Sequence, residues 1–361
     1  MRAVLADLRA LERMLQEGRF EKGVRRIGAE QEMFLTDPAY VPAPGALKML
    51  DRLKDPHFTT ELGAFQLEMN ASPQDFTGTG FSKLEAEMTG LMQQAWKAAD
   101  ELGLRAVLVG ILPTMRKADL GMENMVPSPR YLALSKAVAA LRGGDFEFSI
   151  KGLDELVIAH DSVMVEACNS SFQVHLQVDA DDFARQYNLA QVLAGPLMSI
   201  ACNSPLLFGK RLWAETRIAL FQQSVDTRSK TQHLRDQAAR VTFGTRFVER
   251  DITDIFREDI SRFRTLVGSA SDEDPMALLN EGKAPELKSL RLHNGTIYRW
   301  NRACYGIING KPHLRIENRV MPAGPSEPDE IANAVFWCGV MVDFARRYED
   351  ITQHIAFDHA A

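Results

Sequence analysis

The sequence predicts an α+β fold built around a mostly antiparallel sheet, and two features of the chain carry that expectation. Extended stretches at 26–35, 64–70, 105–111, 146–151, 172–179, 296–300 and 313–320 come in pairs and clusters, not in strict alternation with helices. Four of those stretches also alternate polar with apolar residues, the pattern of a sheet buried on one face only.

Taken in order, the chain opens on "MRAVLADLRALERMLQEG". Val4, Leu8, Leu11 and Leu15 recur at helical spacing, predicting a surface helix over 1–17 with one packed stripe. Asp7, Glu12 and Glu17 interrupt any apolar core, so the segment does not read as a signal peptide. Residues 1–24 are set apart from a single domain over 25–350. Further helices are expected at 82–102, 129–142, 182–201, 212–224, 251–265 and 327–348. In the first of these, Ser82 and Glu85 stand at capping-box spacing ahead of the stripe Leu84, Met88, Leu91 and Ala95. The last starts after Ser326 and is expected to bury Ile331, Val335 and Phe336. "RKADLGMENMVPSPRY" is a connection into the helix that Pro129 starts, with the composition of a rim or lid. "CNSPLLFGK" ends a helix and reads as structural, Lys210 being an outlying candidate for phosphate. Residues 229–290 are charged and weakly patterned, an insertion or helical region that patterning does not resolve.

Composition narrows the function classes. The 361 residues are 45% hydrophobic and 25% charged, with a net charge of −6, as in an ordinary globular protein. No basic field recruits nucleic acid or anionic lipid, and no run of 18 apolar residues spans a membrane. Cys168, Cys202, Cys304 and Cys338 are scattered singly, which suits a reducing cytoplasm better than a disulfide framework or a zinc site.

The chemistry lies in the polar faces of the four alternating strands. "RIGAEQEMFL" sets Gly28, Glu30 and Glu32 against Ile27, Ala29 and Met33. "FTTELGAFQLEMNASP" sets Gln66, Glu68 and Asn70 against Phe65, Leu67 and Met69, and a turn at Gly63 would bring Glu61 round to the polar side. "SSFQVHLQVD" presents Gln173, His175 and Gln177, and "HLRIENRVMPAGP" presents His313, Arg315, Glu317 and Arg319. In one sheet these faces would gather five carboxylates, two His and two Arg on one wall, and so many like charges require cations. An oxygen-rich set without thiolates selects Mg²⁺, with Mn²⁺ as substitute, over zinc. Arg315 and Arg319 beside such ions suit bidentate contacts to phosphate or carboxylate. The chain has no GxxxxGK[ST], GxGxxG, HExxH or GxSxG. His57, His160, His233, His293 and His354 read as solvated or core residues.

"GAEQE", "ELGAFQLEMNASP", "FQVHLQVD", "CNSPLLFGK" and "LRIENRVMPAGP", in that order over about residues 25–345, resemble the glutamate–cysteine ligase family. The likeness is strongest to its plant and proteobacterial type and to related carboxylate–amine ligases. It extends more distantly to the glutamine synthetase catalytic domain, which shares the Arg-x-Glu-x-Arg and Glu-x-Glu strands. The resemblance implies a large curved sheet with helices packed on its convex face and the active site in its concave face. It implies that Glu30, Glu32, Glu61, Glu68, Gln173 and Glu317 hold two or three Mg²⁺ ions. Arg217 and Arg228, in "ETRIALFQQSVDTR", would grip a substrate carboxylate, and "YRWNRACYG" would put Trp300 and Arg302 near nucleotide or acyl phosphate. Arg302, Arg315 and Arg319 would act on the transferred phosphoryl group. His175 and Gln177 stand on the substrate-facing strand where plant-type ligases tend to carry Asn and Asp, so they bear on the choice of substrate.

The activity so implied is ATP- and Mg²⁺-dependent joining of an acidic amino acid to an amine, a γ-glutamyl amide in the first instance, through an acyl phosphate. Two alternatives share these faces. A guanidino-kinase-like phosphotransferase would consume ATP with one substrate and release no phosphate, and a non-catalytic Mg²⁺–nucleotide-binding protein would turn nothing over.

Overall fold

The computed structural model describes residues 1–228, 239–268 and 273–361. His233 and part of the 229–290 region lie outside the described residues. The strands in chain order are β1 (Arg26–Thr36), β2 (Phe58–Thr60), β3 (Gln66–Asn70), β4 (Gln74–Asp75), β5 (Arg105–Val107), β6 (Phe146–Lys151), β7 (Glu155–His160), β8 (Phe172–Val178), β9 (Leu206–Leu207), β10 (Lys210–Arg211), β11 (Val241–Thr242), β12 (Tyr298–Arg299), β13 (Asn301–Ile308) and β14 (Lys311–Asn318). Eight of them form one antiparallel sheet in the order β13-β14-β8-β1-β3-β2, with β4 and β5 also pairing β1, and the sheet curls into a half-barrel. β6–β7 and β9–β10 are separate hairpins, and β11 pairs β12 in parallel.

One face of the sheet is apolar and lies against helices. Ile27, Ala29, Met33, Leu67, Met69, Val174, Leu176, Leu314 and Ile316 are buried with α3 (Gly80–Glu101), α5 (Phe183–Ile200) and α10 (Glu327–Arg347) in the main core. Removing that surface from water, at roughly 25 cal/mol per Å², fixes which way each strand faces. The polar residues of the same strands therefore point to the concave side. A second apolar cluster lies under the β6–β7 hairpin, where Phe146, Phe148, Ile150 and Leu156 meet Val165, Leu207 and Leu220.

Helix α1 (Arg2–Gln16) buries Val4, Leu8 and Leu11 as expected, and buried Asp7 accepts the backbone N–H of Leu290. Two expectations need correction. α3 begins at Gly80 with no side-chain cap, so Ser82 and Glu85 lie inside its first turns and form no capping box. On α10 the buried stripe is Ile331, Ala334, Trp337, Cys338 and Met341, while Val335 and Phe336 are 42% and 40% exposed. At 100° per residue both fall off that stripe, Phe336 on the opposite side.

The stretch expected as one strand over 296–300 is divided. β12 is short, and the longer β13 pairs β14 from Asn301↔Asn318 to Ile308↔Lys311. A two-residue turn joins them, with Asn309 and Gly310 both at positive φ (51° and 76°), the conformation that Asn-Gly favours in a tight hairpin.

Candidate active site

β1 brings the concave wall together because it lies between β8 and β3. Glu32 is the direct cross-strand partner of Glu68, and Glu30 is that of Gln173. β8 hands the wall on to β14 through His175↔Glu317, and β14 to β13 through Glu317↔Arg302. Glu61 arrives from the turn after β2, where Gly63 leaves no room for a Cβ: one would stand 2.8 Å from Gln66 Oε1.

The result is a cavity of about 340 Å³. Glu30, Glu32, Glu61, Glu68 and Glu166 line it together with Arg130, Arg217, Arg302 and Arg319, and Tyr131, Tyr298, Trp300 and Phe221 form an aromatic side. Oxygens of Glu32, Glu61 and Glu68 lie within 4.8 Å of one another. Burial, then the neighbouring Glu68, pushes the Glu32 carboxyl up to about 7. Burial, Glu68 and Glu32 hold Glu61 well above the usual carboxylate range, and burial raises Glu68 as well. Three carboxylates driven toward protonation chiefly by their burial form an all-oxygen donor set that fits a hard divalent cation. Glu32 is also held in place by Ser171, through N–H (2.6 Å) and Oγ (2.9 Å), and by Gln173 Nε2 (3.0 Å).

The other expected residues are arranged around this trio. Glu317 does not line the cavity. It is 3% exposed beneath it and accepts from Arg302 (3.0 Å), from Arg319 and from Cys304 Sγ (3.2 Å). Although burial opposes it, the pull of Arg302 and Arg319 holds Glu317 well below the usual carboxylate range. Arg319 also donates to Gln173. The Cys304 thiol was not foreseen here. Burial and Glu317 push it up to about 12, so it stays protonated in the metal-free protein, where its sulfur lies within 4.8 Å of ligand atoms of His175 and Glu317.

His175 bridges Glu30 and Arg315. Arg315 Nε donates to its Nδ1 (3.1 Å), which leaves the proton on Nε2 for Glu30 Oε1 (2.8 Å). His175, Gln177, His313 and Arg315 line a second cavity of about 360 Å³, floored by Gly28 and Gly306 and flanked by Ile307 and Ile308. Glu30 lines both cavities. Gln177 donates to Glu21 (2.9 Å) and accepts from Arg26 (3.0 Å).

Arg217 lines the first cavity, but its guanidinium is largely engaged: Nε bonds Glu215 (3.1 Å) and Nη2 the carbonyls of Arg319 and Val320. It lies over Trp300, 5.8 Å from the ring centre. Arg228 pairs with Asp226 (2.8 Å), and neither it nor exposed Lys210 is among the described residues lining the cavities.

Sequence reasoning missed Glu166, Arg130 and Tyr131. Glu166 sits on a 3-10 turn, Val163–Cys168, where no two-residue alternation marks it, and burial and Glu32 push its carboxyl up to about 7. Tyr131, in the first turn of α4 (Pro129–Arg142), donates to the Thr60 carbonyl (2.9 Å), and with Arg130 and Leu134 it lines the cavity from that helix, while no residue of the preceding connection is among the described residues lining it.

The pattern of glutamate-cysteine ligase family 2 (GCS2) matches residues 26–359. The chain belongs to that family. A comparison with curated proteins finds no match. Among solved structures, a glutamate–cysteine ligase from Francisella tularensis in complex with AMP is 13% identical with a TM-score of 0.52, covering 92% of this chain and 68% of that one. A bifunctional glutathione synthetase from Pasteurella multocida is 11% identical with a TM-score of 0.46, covering 93% of this chain and 39% of that one. Family membership supports an ATP-dependent ligase joining a carboxylate to an amine. Among the described residues no helix is long and apolar enough to cross a membrane.

Proposed function

We propose that this GCS2 protein is an ATP- and Mg²⁺-dependent ligase that activates an acidic amino acid, glutamate in the first instance, as an acyl phosphate and passes it to an amine. The observation that carries the reading is the Glu32–Glu61–Glu68 oxygen cluster on the wall of the first cavity, with Arg302 and Arg319 beside it and Glu30 linking that cavity to the second. Residues 25–350 would act as one catalytic domain with α1 packed against it.

The two cavities suit different parts of the reaction. The second, floored by glycines and flanked by Ile307 and Ile308, suits a planar base and ribose, with Arg315 turned toward phosphate. The first suits the acid and the amine. Glu32, Glu61 and Glu68 would hold the cation, which when bound neutralises phosphate and carboxylate oxygens. Arg302 and Arg319, fixed in orientation by Glu317, would stabilise charge on the transferred phosphoryl group. Arg217 would meet the substrate carboxylate through its remaining N–H groups. The aromatic side and Tyr131 would exclude water from the acyl phosphate. The chemistry needs no protein nucleophile, and orienting two substrates accounts for most of the catalysis.

Hydroxylamine tests this directly, because it captures an acyl phosphate as a hydroxamate. Hydroxamate that requires ATP, a divalent cation and one acid supports the reading. ADP formed from a single substrate, with no hydroxamate and no free phosphate, would replace it with a phosphotransferase.

A further inference from the structure

The buried face of β1 reads Ile27, Ala29, Gln31, Met33, and Gln31 is its one polar residue. It is 0% exposed, as is Glu330 on α10 behind the sheet. Glu330 Oε1 accepts the backbone N–H of Gly324, in the loop between β14 and α10. Glu330 Oε2 has no donor, and neither has Gln31 Oε1. The Glu330 carboxyl has Gln31 as its side-chain hydrogen-bonding neighbour.

Gln31 is committed in the other direction, because its Nε2 donates to the Glu32 carbonyl (2.5 Å). Turning the carboxamide over would set oxygen against that carbonyl. Two buried acceptors are therefore left without a donor, an arrangement that folded proteins rarely keep. One proton satisfies both oxygens.

We propose that Glu330 is held as a neutral carboxylic acid whose O–H donates to Gln31 Oε1, making it a positioning residue that fixes β1 from behind, between Glu30 and Glu32. Its surroundings agree. The nearby charges are Glu327 and Asp329, both anionic and both on its own helix, while β1 offers a carboxamide and the loop an N–H. No described cation pairs with it, and the core around it is apolar. Burial and those anions lift its carboxyl to about 8 against the opposing pull of the Gly324 N–H and of Gln31. The inference does not depend on the ligase reading.

Thermal unfolding of the full chain against pH decides it, using wild type, E330Q and E330M. The amide of E330Q reproduces both bonds and cannot ionise. An acid protonated in the fold and ionised in the unfolded chain loses stability as pH rises from about 4.5 to about 8. E330Q should therefore melt at or above wild type, by a margin that widens between about pH 5 and about pH 8. E330M, which satisfies neither Gly324 nor Gln31, should melt below both throughout. An E330Q protein that melts as low as E330M, or does not fold, would overturn the proposal. A wild-type-to-E330Q difference that does not change with pH would also overturn it.

Discussion

Glu32 and Glu68 are direct partners across the β1–β3 ladder, and Glu61 closes a three-carboxylate cluster with them. Like charges opposite one another weaken a sheet by up to about 1 kcal/mol. Glu68→Gln should therefore raise the melting temperature of the metal-free protein and remove the further rise that Mn²⁺ gives wild type. Melting curves with and without Mn²⁺ check both parts. A Glu68→Gln protein still stabilised by Mn²⁺ would place the cation elsewhere.

Protons and metal compete for the same oxygens. Glu32 and Glu166 sit near 7 in the fold, above the ordinary carboxylate value of 4.5. The folded chain thus keeps protons that the unfolded chain has lost, and metal-free stability should fall as pH rises from about 4.5 through about 7, with Glu330 extending the fall to about 8. Metal affinity should move the opposite way, rising with pH toward tenfold per unit for each proton displaced. Calorimetric titration with Mn²⁺ at several pH values measures this.

Glu317 holds Arg302 and Arg319 together, so its replacement does more than alter chemistry. Glu317→Gln should abolish turnover, because the two Arg lose the group that orients them. The buried pairing predicts a loss of about 3 kcal/mol as well, because two guanidinium groups lose their counter-charge. Denaturant unfolding alongside ADP release tests the two effects separately.

Glu166 faces the cavity from outside the sheet. If it receives the amine, Glu166→Gln should raise the KM for the amine about tenfold or more while leaving the KM for ATP and hydroxamate formation near wild type. A uniform loss in all three would make it a metal or phosphate residue instead.

The sheet was legible because burial on one side imposes a two-residue period, and Glu30, Glu32, Glu68, Gln173 and Arg319 all surfaced through it. Glu61 needed only the inference that Gly63 turns the chain. Glu166 and Tyr131 obey no such period: one stands on a 3-10 turn, the other at the start of a helix, and only tertiary packing brings them to the cavity. Glu317 was recognised as a site residue, but its burial under two Arg is a matter of register that alternation cannot show. The β13–β14 hairpin was the avoidable miss, since Asn309-Gly310 between two apolar runs is a strong local turn signal. Val335 and Phe336 show the opposite error, apolar residues assigned inward although they lie off the stripe of their own helix.

The most direct test of the central claim is release of ADP and phosphate with ATP and Mg²⁺ across acidic amino acids crossed with amines. A ligase predicts equimolar ADP and phosphate only where one acid and one amine are both present, and none in Glu68→Gln. ADP without phosphate from a single substrate, or ATP raising the melting temperature with no turnover in any combination, would contradict it.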